Sequence, residues 1–117
     1  MRMRIVLAAG ILVMAVGVGQ VVAQERGDIL KIANREAEQL GYDLSHMSVA
    51  FDEDNSQWQE YQTAHARATQ TRAISEQLNG RVYQAVYYSP EKITLGGDLW
   101  VFIDAETGDV IGTIQGE

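Results

Sequence analysis

The sequence contains no cysteine. That absence removes disulfides, thiolate nucleophiles, cysteine metal ligands and a lipid attached at a lipobox, so the fold must hold without covalent staples. Histidine occurs only twice, at His46 and His65, a thin supply of metal ligands with no HxH or HExxH neighbour. No serine stands in a Gly-x-Ser-x-Gly elbow. Ser45 and His46 are neighbours, but adjacent strand residues face opposite ways and cannot pair as nucleophile and base. Basic residues are scarce as well: nine Lys and Arg stand against sixteen Asp and Glu, for a formal net charge of −7. That balance argues against nucleic acid and against anionic membrane surfaces, both of which require basic patches.

Long apolar runs are also missing. The most apolar stretch, Ile5 to Val18, is shorter than the ~20 residues that span a bilayer. It follows Arg2 and Arg4 and is followed by Val21-Val22-Ala23 ahead of Gln24. A charged start, a short apolar core and a small-residue site make residues 1–23 a secretory signal peptide; an uncleaved N-terminal anchor is the alternative. The expectation is export, periplasmic or secreted, of one domain over 24–117 with no stable membrane span after signal cleavage.

What the sequence does have is a C-terminal pattern. Leu99 to Ile103 is wholly apolar, aliphatic and aromatic, and Gly96-Gly97-Asp98 precedes it, as fits a strand covered on both sides. Alternation places Leu99, Val101 and Ile103 on one face and Trp100 and Phe102 on the other. Asp104 to Asp109 supplies the turn: Asp104 accepts from backbone N–H groups ahead of it, Thr107 lies within it, and Gly108 takes positive φ. Val110 to Ile114 returns as partner strand, with Val110, Gly112 and Ile114 predicted on one face.

Upstream, Asp28 is the expected N-cap of a helix running to Leu40, with Gly41 as its C′ residue and Ile29, Ala33, Ala37 and Leu40 as its apolar stripe. Met47, Val49 and Phe51 alternate with polar or small residues, the period of a half-buried strand. Asp52 to Asn55 closes it. Ser56 to Asn79, free of Pro and Gly, predicts a second helix between Asn55 or Ser56 and Gly80, with a break or mobile middle at Thr69 to Arg72. Arg81 to Tyr88 is a further strand, stopped by Ser89-Pro90. It has Tyr83, Ala85 and Tyr87 on one side and Val82, Val86 and Tyr88 on the other. The expected fold is α+β: a small antiparallel sheet of about four strands packed against one or two helices.

Gly80 to Val86, followed by Gly97 to Val110 with its Asp104-Ala105-Glu106-Thr107-Gly108 turn, resembles the ending of PepSY and PepSY-like domains. The helix Ile29 to Leu40 closed by Gly41 is similar to the helix that precedes those strands. Asn55 to Asn79 reads as an insertion relative to that pattern. The resemblance implies a cystatin-like α+β module, exported or membrane-associated, that binds or inhibits peptidases or acts as a sensor. The Gly96-Gly97-Asp98 strand and the turn after it also resemble small immunity proteins with a cone-shaped, nuclear-transport-factor-like fold.

No catalytic residue, metal ligand or cofactor is assigned from the sequence, and the chain reads as non-enzymatic. Asp52-Glu53-Asp54-Asn55-Ser56 lacks the Gly and Glu of an EF-hand, since Gln57 and Thr63 hold those positions, and fits a solvated helix cap as well as a weak calcium site. Gly96-Gly97 lacks the lysine and helix of a P-loop. Tyr83, Tyr87 and Trp100 are the candidate binding residues: they form either an apolar patch for a protein or peptide partner or the core beneath the helices. The first reading is an exported binding module for a protein or peptide, with peptidase modulation as the role that the PepSY-like resemblance implies; the alternatives are a periplasmic carrier of a small ligand or metal and an immunity-type protein.

Overall fold

The computed structural model describes residues 25–92 and 97–116. The signal reading at 1–23 therefore lies outside the described residues. Within them run helix α1 (Arg26–Gln39), a short 3-10 turn (Leu44–His46), strand β1 (Met47–Asp52), helices α2 (Ser56–Ala64) and α3 (Thr69–Leu78), and strands β2 (Tyr83–Pro90), β3 (Leu99–Asp104) and β4 (Val110–Gln115). The strands form one antiparallel sheet in the order β1-β2-β3-β4. The fold is α+β, as the order of elements predicts. None of the described helices is long and apolar enough to cross a membrane.

Helix α1 starts at Arg26 with Glu25 in the cap position, three residues before the expected cap; Asp28 sits in the first turn, where the helix dipole favours a carboxylate. Ile29, Ala33 and Ala37 recur every fourth residue and are buried. The helix closes in a Schellman motif: Tyr42 N–H donates to the Ala37 carbonyl at 3.1 Å, Gly41 N–H to that of Glu38 at 3.0 Å, and Gly41 takes φ of +97°.

The segment 56–79 is two helices, broken at 65–68 rather than at the expected 69–72. A straight helix carrying Trp58 inward would turn Arg72 and Glu76 inward fourteen and eighteen residues later. The buried residues of α3 are instead Thr71, Ile74 and Leu78. The two stripes are out of phase, and a break lets both face the sheet.

The helices cover opposite faces. Leu99, Val101 and Ile103 join Val86, Tyr88 and the inner residues of α1 in one core; Trp100, Phe102, Ala85 and Ile114 join Trp58, Ile74 and Leu78 in the other. The alternation expected for β3 holds, and all five of its apolar residues from Leu99 to Ile103 are at most 3% exposed.

Three details differ from expectation. Strand β2 includes Ser89 and Pro90, because β3 extends only to the Tyr88–Leu99 pair and leaves Pro90 facing β1 alone. Val82 falls outside β2 and is 59% exposed. In β4, Phe102 pairs with Gly112 and Ile103 with Val110, so Ile111 is an extra residue in a bulge. The bulge sends Val110 to the α1 side, while Ile111 and Ile114 pack under α2 and α3.

Candidate functional site

Aromatic side chains dominate the face under α2 and α3. Trp58 is 1% exposed and meets Phe102 edge-on at 4.6 Å and Trp100 at 5.6 Å between ring centroids. Its helix is held against the sheet by Asp52, itself buried, whose carboxylate accepts from Trp58 N–H at 2.8 Å and Gln57 N–H at 3.1 Å. Asn55 occupies the cap position with φ of 60°, and its side chain is spent on β2: it donates to the Tyr83 carbonyl and accepts from Ala85 N–H. The acidic stretch is thus a helix cap in which Asp52 does the capping.

Of the predicted binding residues, the structure brings Tyr87 and Trp100 together and sets Tyr83 apart. Tyr87 lies against Trp100 with ring centroids 4.6 Å apart. Trp100 is buried, and its indole Nε1 has no hydrogen-bond acceptor among the described residues. Tyr83 stands at the other end of β2, beside Phe102, in a shallow groove with Leu78 and Arg81.

Tyr87 opens onto a cleft of about 580 Å³. Helix α2 contributes Tyr61 and the turn after it His65; α3 adds Gln70 and Thr71. Asp98, just ahead of β3, and Ile114 to Gly116, at the end of β4, complete the wall. The cleft lies at the break between the two short helices, where residues of both line this end of the aromatic face.

Two arrangements define its chemistry. The Tyr87 hydroxyl donates to Asp98 Oδ2 at 2.9 Å. Burial, then the hydrogen bond and charge of Asp98, push the Tyr87 phenol up to about 12, so it stays a protonated donor. Burial and the Asp98 charge raise Tyr61 too. The Tyr61 ring stacks on His65 with centroids 4.0 Å apart, and His65 Nδ1 lies 3.0 Å from the Tyr61 carbonyl. Only the protonated Nδ1 suits that acceptor, which leaves Nε2 as the ring's free position.

Gly116 shapes the wall as well. Its N–H donates to the Asp98 carbonyl at 2.8 Å, and a Cβ there would collide with the Asp98 carboxylate. Sequence reading singled out Tyr87 but missed Asp98, Tyr61, His65 and Gly116 as its neighbours. Gly97-Asp98 was visible as a strand boundary, yet nothing local told that the end of β4 and the helix break would fold over it.

The turn residues lie at the opposite end of the β3–β4 hairpin. Asp104 Oδ1 accepts from Glu106 N–H at 2.9 Å and Thr107 N–H at 3.0 Å, Thr107 Oγ1 accepts from Asp109 N–H, and Gly108 takes φ of +82°. These hydrogen bonds hold the Asp104 carboxyl below its usual range. His46 sits by Asp43 in the 3-10 turn, remote in chain and neighbours from His65. Among the described residues no group of three or more His, Asp or Glu could hold a metal ion. No known family model matches the chain, and neither does any curated protein or solved structure.

Proposed function

We propose that this chain is an exported, non-enzymatic module of PepSY-like type that recognises a protein or peptide through the cleft at Tyr87. The observation that carries the reading is the Tyr87–Trp100 pair: a buried indole holds a half-exposed phenol at the mouth of a cleft large enough for a side chain and its flanking backbone. Aromatic side chains with a polar group at the rim, here Tyr87 and Tyr61 with Gln70, are the composition that protein interfaces favour. The Asp98 carboxylate is occupied by the Tyr87 hydroxyl and the His65 imidazole by a main-chain carbonyl. Both are arranged as fixed binding groups. The signal-like segment and the PepSY-like strand pattern supply the export and the family in this proposal.

The test is selection of a displayed random-peptide library on the purified protein, followed by calorimetric titration of the enriched peptides. Enrichment of a common sequence is expected, with Tyr87→Ala weakening it at least roughly tenfold, as for an interface anchor, while thermal unfolding stays cooperative. Absence of any enriched peptide, or equal affinity in a folded Tyr87→Ala protein, would sink the reading.

A further inference from the structure

We propose that the cleft is specific for a basic side chain of the bound peptide, arginine in the first place, seated between the Asp98 carboxylate and the aromatic walls. The inference rests on the peptide-binding reading above and adds to it the chemistry of the recognised residue.

Charge decides the class. Asp98 is the only carboxylate among the described lining residues, and no Lys or Arg lines the cleft or pairs with Asp98 among the described residues. Two other acids do have an arginine partner: Arg26 pairs with Glu53 and Arg81 with Asp104. Asp98 accepts the Tyr87 hydroxyl on Oδ2, which fixes the carboxylate, and Oδ1 packs where a Cβ of Gly116 would stand. A carboxylate held in this way against apolar and aromatic groups attracts a cation more strongly than one in open water. An anionic ligand would face that same charge without a basic partner.

Shape decides between the two basic side chains. The Tyr87 ring and the stacked Tyr61–His65 pair supply flat walls. A planar guanidinium stacks on such faces and presents several donors in a fixed fork, whereas an ammonium is a compact, strongly hydrated point charge. Gln70, on the lining at the start of α3, carries an amide oxygen that can accept from the remaining guanidinium protons. His65 is the other titratable group on the wall besides the tyrosines, and its Nε2, free of its own carbonyl contact, adds one more acceptor when neutral.

The experiment titrates the purified protein with three blocked amino acids, acetyl-arginine, acetyl-lysine and acetyl-citrulline methylamides, followed by amide NMR. Saturable shifts at Tyr61, Tyr87 and Asp98 are expected with the arginine compound. Citrulline keeps the shape and removes the charge, and should bind roughly tenfold more weakly, the size of a charge-assisted hydrogen bond. Asp98→Asn keeps an acceptor for the Tyr87 hydroxyl and should lose the same factor at unchanged melting temperature. Gly116→Ala, which displaces the carboxylate, is the second variant and should act in the same direction. Citrulline binding as tightly as arginine, or unchanged arginine affinity in both variants, overturns the inference. Lysine binding equal to arginine overturns the choice of arginine. Library peptides without an enriched basic position would refute the inference and leave peptide binding standing; arginine binding with no peptide selected would do the reverse.

Discussion

The two faces of the sheet solve the same packing problem with opposite materials. On one face a single fourteen-residue helix presents Ile29, Ala33 and Ala37 to Val86 and Tyr88 on β2 and to the aliphatic residues of β3, and the alanines let the backbone lie close to the sheet. On the other, two short helices rest on Trp100 and Phe102 through Trp58, Ile74 and Leu78, with Tyr61, Tyr83 and Tyr87 along the margins. Small residues make a flush, closed layer. Large aromatics hold the helices further off and leave the margin open where the helices part, and the cleft is a consequence of that choice. Among the described residues the closed face carries no candidate site; the aromatic face carries the candidate binding residue and its neighbours.

The largest expected effect comes from removing the keystone of the aromatic face. Trp58→Ala should cost about 3–5 kcal/mol, the range for truncating a buried aromatic, because Trp58 is the one buried residue of α2. Denaturant unfolding measures it, and hydrogen exchange should show α2 opening while α1 keeps its protection. Equal loss of protection in both helices would mean that the faces do not differ in independence. On the flush face the matching break is to enlarge. Ala33 is fully buried against β3, so Ala33→Leu should cost about 1–3 kcal/mol by overpacking. Unchanged stability there would show that α1 is not in close contact.

The same contrast explains what the sequence could reveal. Strand β3, its two-sided burial and the Asp104–Gly108 turn were legible because each is set by residues within ten positions of one another. Helix α1 was legible because Ile29, Ala33 and Ala37 recur with one period and Gly41 marks the end. The break between α2 and α3 was expected, yet misplaced, because its position depends on the phase of two buried stripes relative to a sheet built later in the chain. The facing of Val110 was misjudged for a related reason: a single inserted residue, Ile111, reverses the alternation, and nothing in Val110-Ile111-Gly112 announces a bulge. The cleft was half legible. Tyr87 was found as an aromatic on the right face, but Asp98, His65 and Gly116 meet it only through long-range folding.

A smaller effect tests how α2 is tied to the sheet. Asp52→Ala strips the acceptor from the Gln57 and Trp58 N–H groups and should cost about 1–2 kcal/mol, as for a lost helix cap. The matching change at Asp54, exposed and bonded to Ser56 N–H, should cost less. Equal losses would indicate that burial of Asp52 adds nothing.

Alkaline pH should erode both faces through their buried tyrosines. Tyr87, on the aromatic face, titrates near 10.0 when unfolded and at about 12 when folded, and burial raises Tyr88, on the α1 face, as well. A raised folded value means that the unfolded chain releases its proton first, so stability is complete below pH 10 and falls as the pH rises towards 12. Thermal unfolding across that window should show the decline, and Tyr87→Phe should flatten part of it. An identical decline in the variant would remove Tyr87 from the account.

The smallest effect probes the contact between α3 and β4. A Cβ at Gly112 would lie 2.6 Å from Ile74 Cδ1 and 3.7 Å from Gln77 Oε1. Two terms oppose each other in Gly112→Ala. The substitution restricts the unfolded chain, which stabilises by about 0.4–1 kcal/mol at a compatible backbone, and Gly112 is not among the residues of positive φ. Against this stands the overlap with Ile74, whose Cδ1 is the far end of its side chain but is enclosed in the buried aromatic core. Overpacking costs about 1–3 kcal/mol, and partial rotation of Ile74 keeps it near the lower limit. The net change should be a destabilisation below about 1 kcal/mol. Ile74→Val removes the colliding methyl, so Gly112→Ala made in that background should become neutral or stabilising, and the difference between the two backgrounds is the contact itself. If the alanine costs the same in both, α3 does not bear on β4 at Gly112, and the spacing of the aromatic face is set by Trp58 alone.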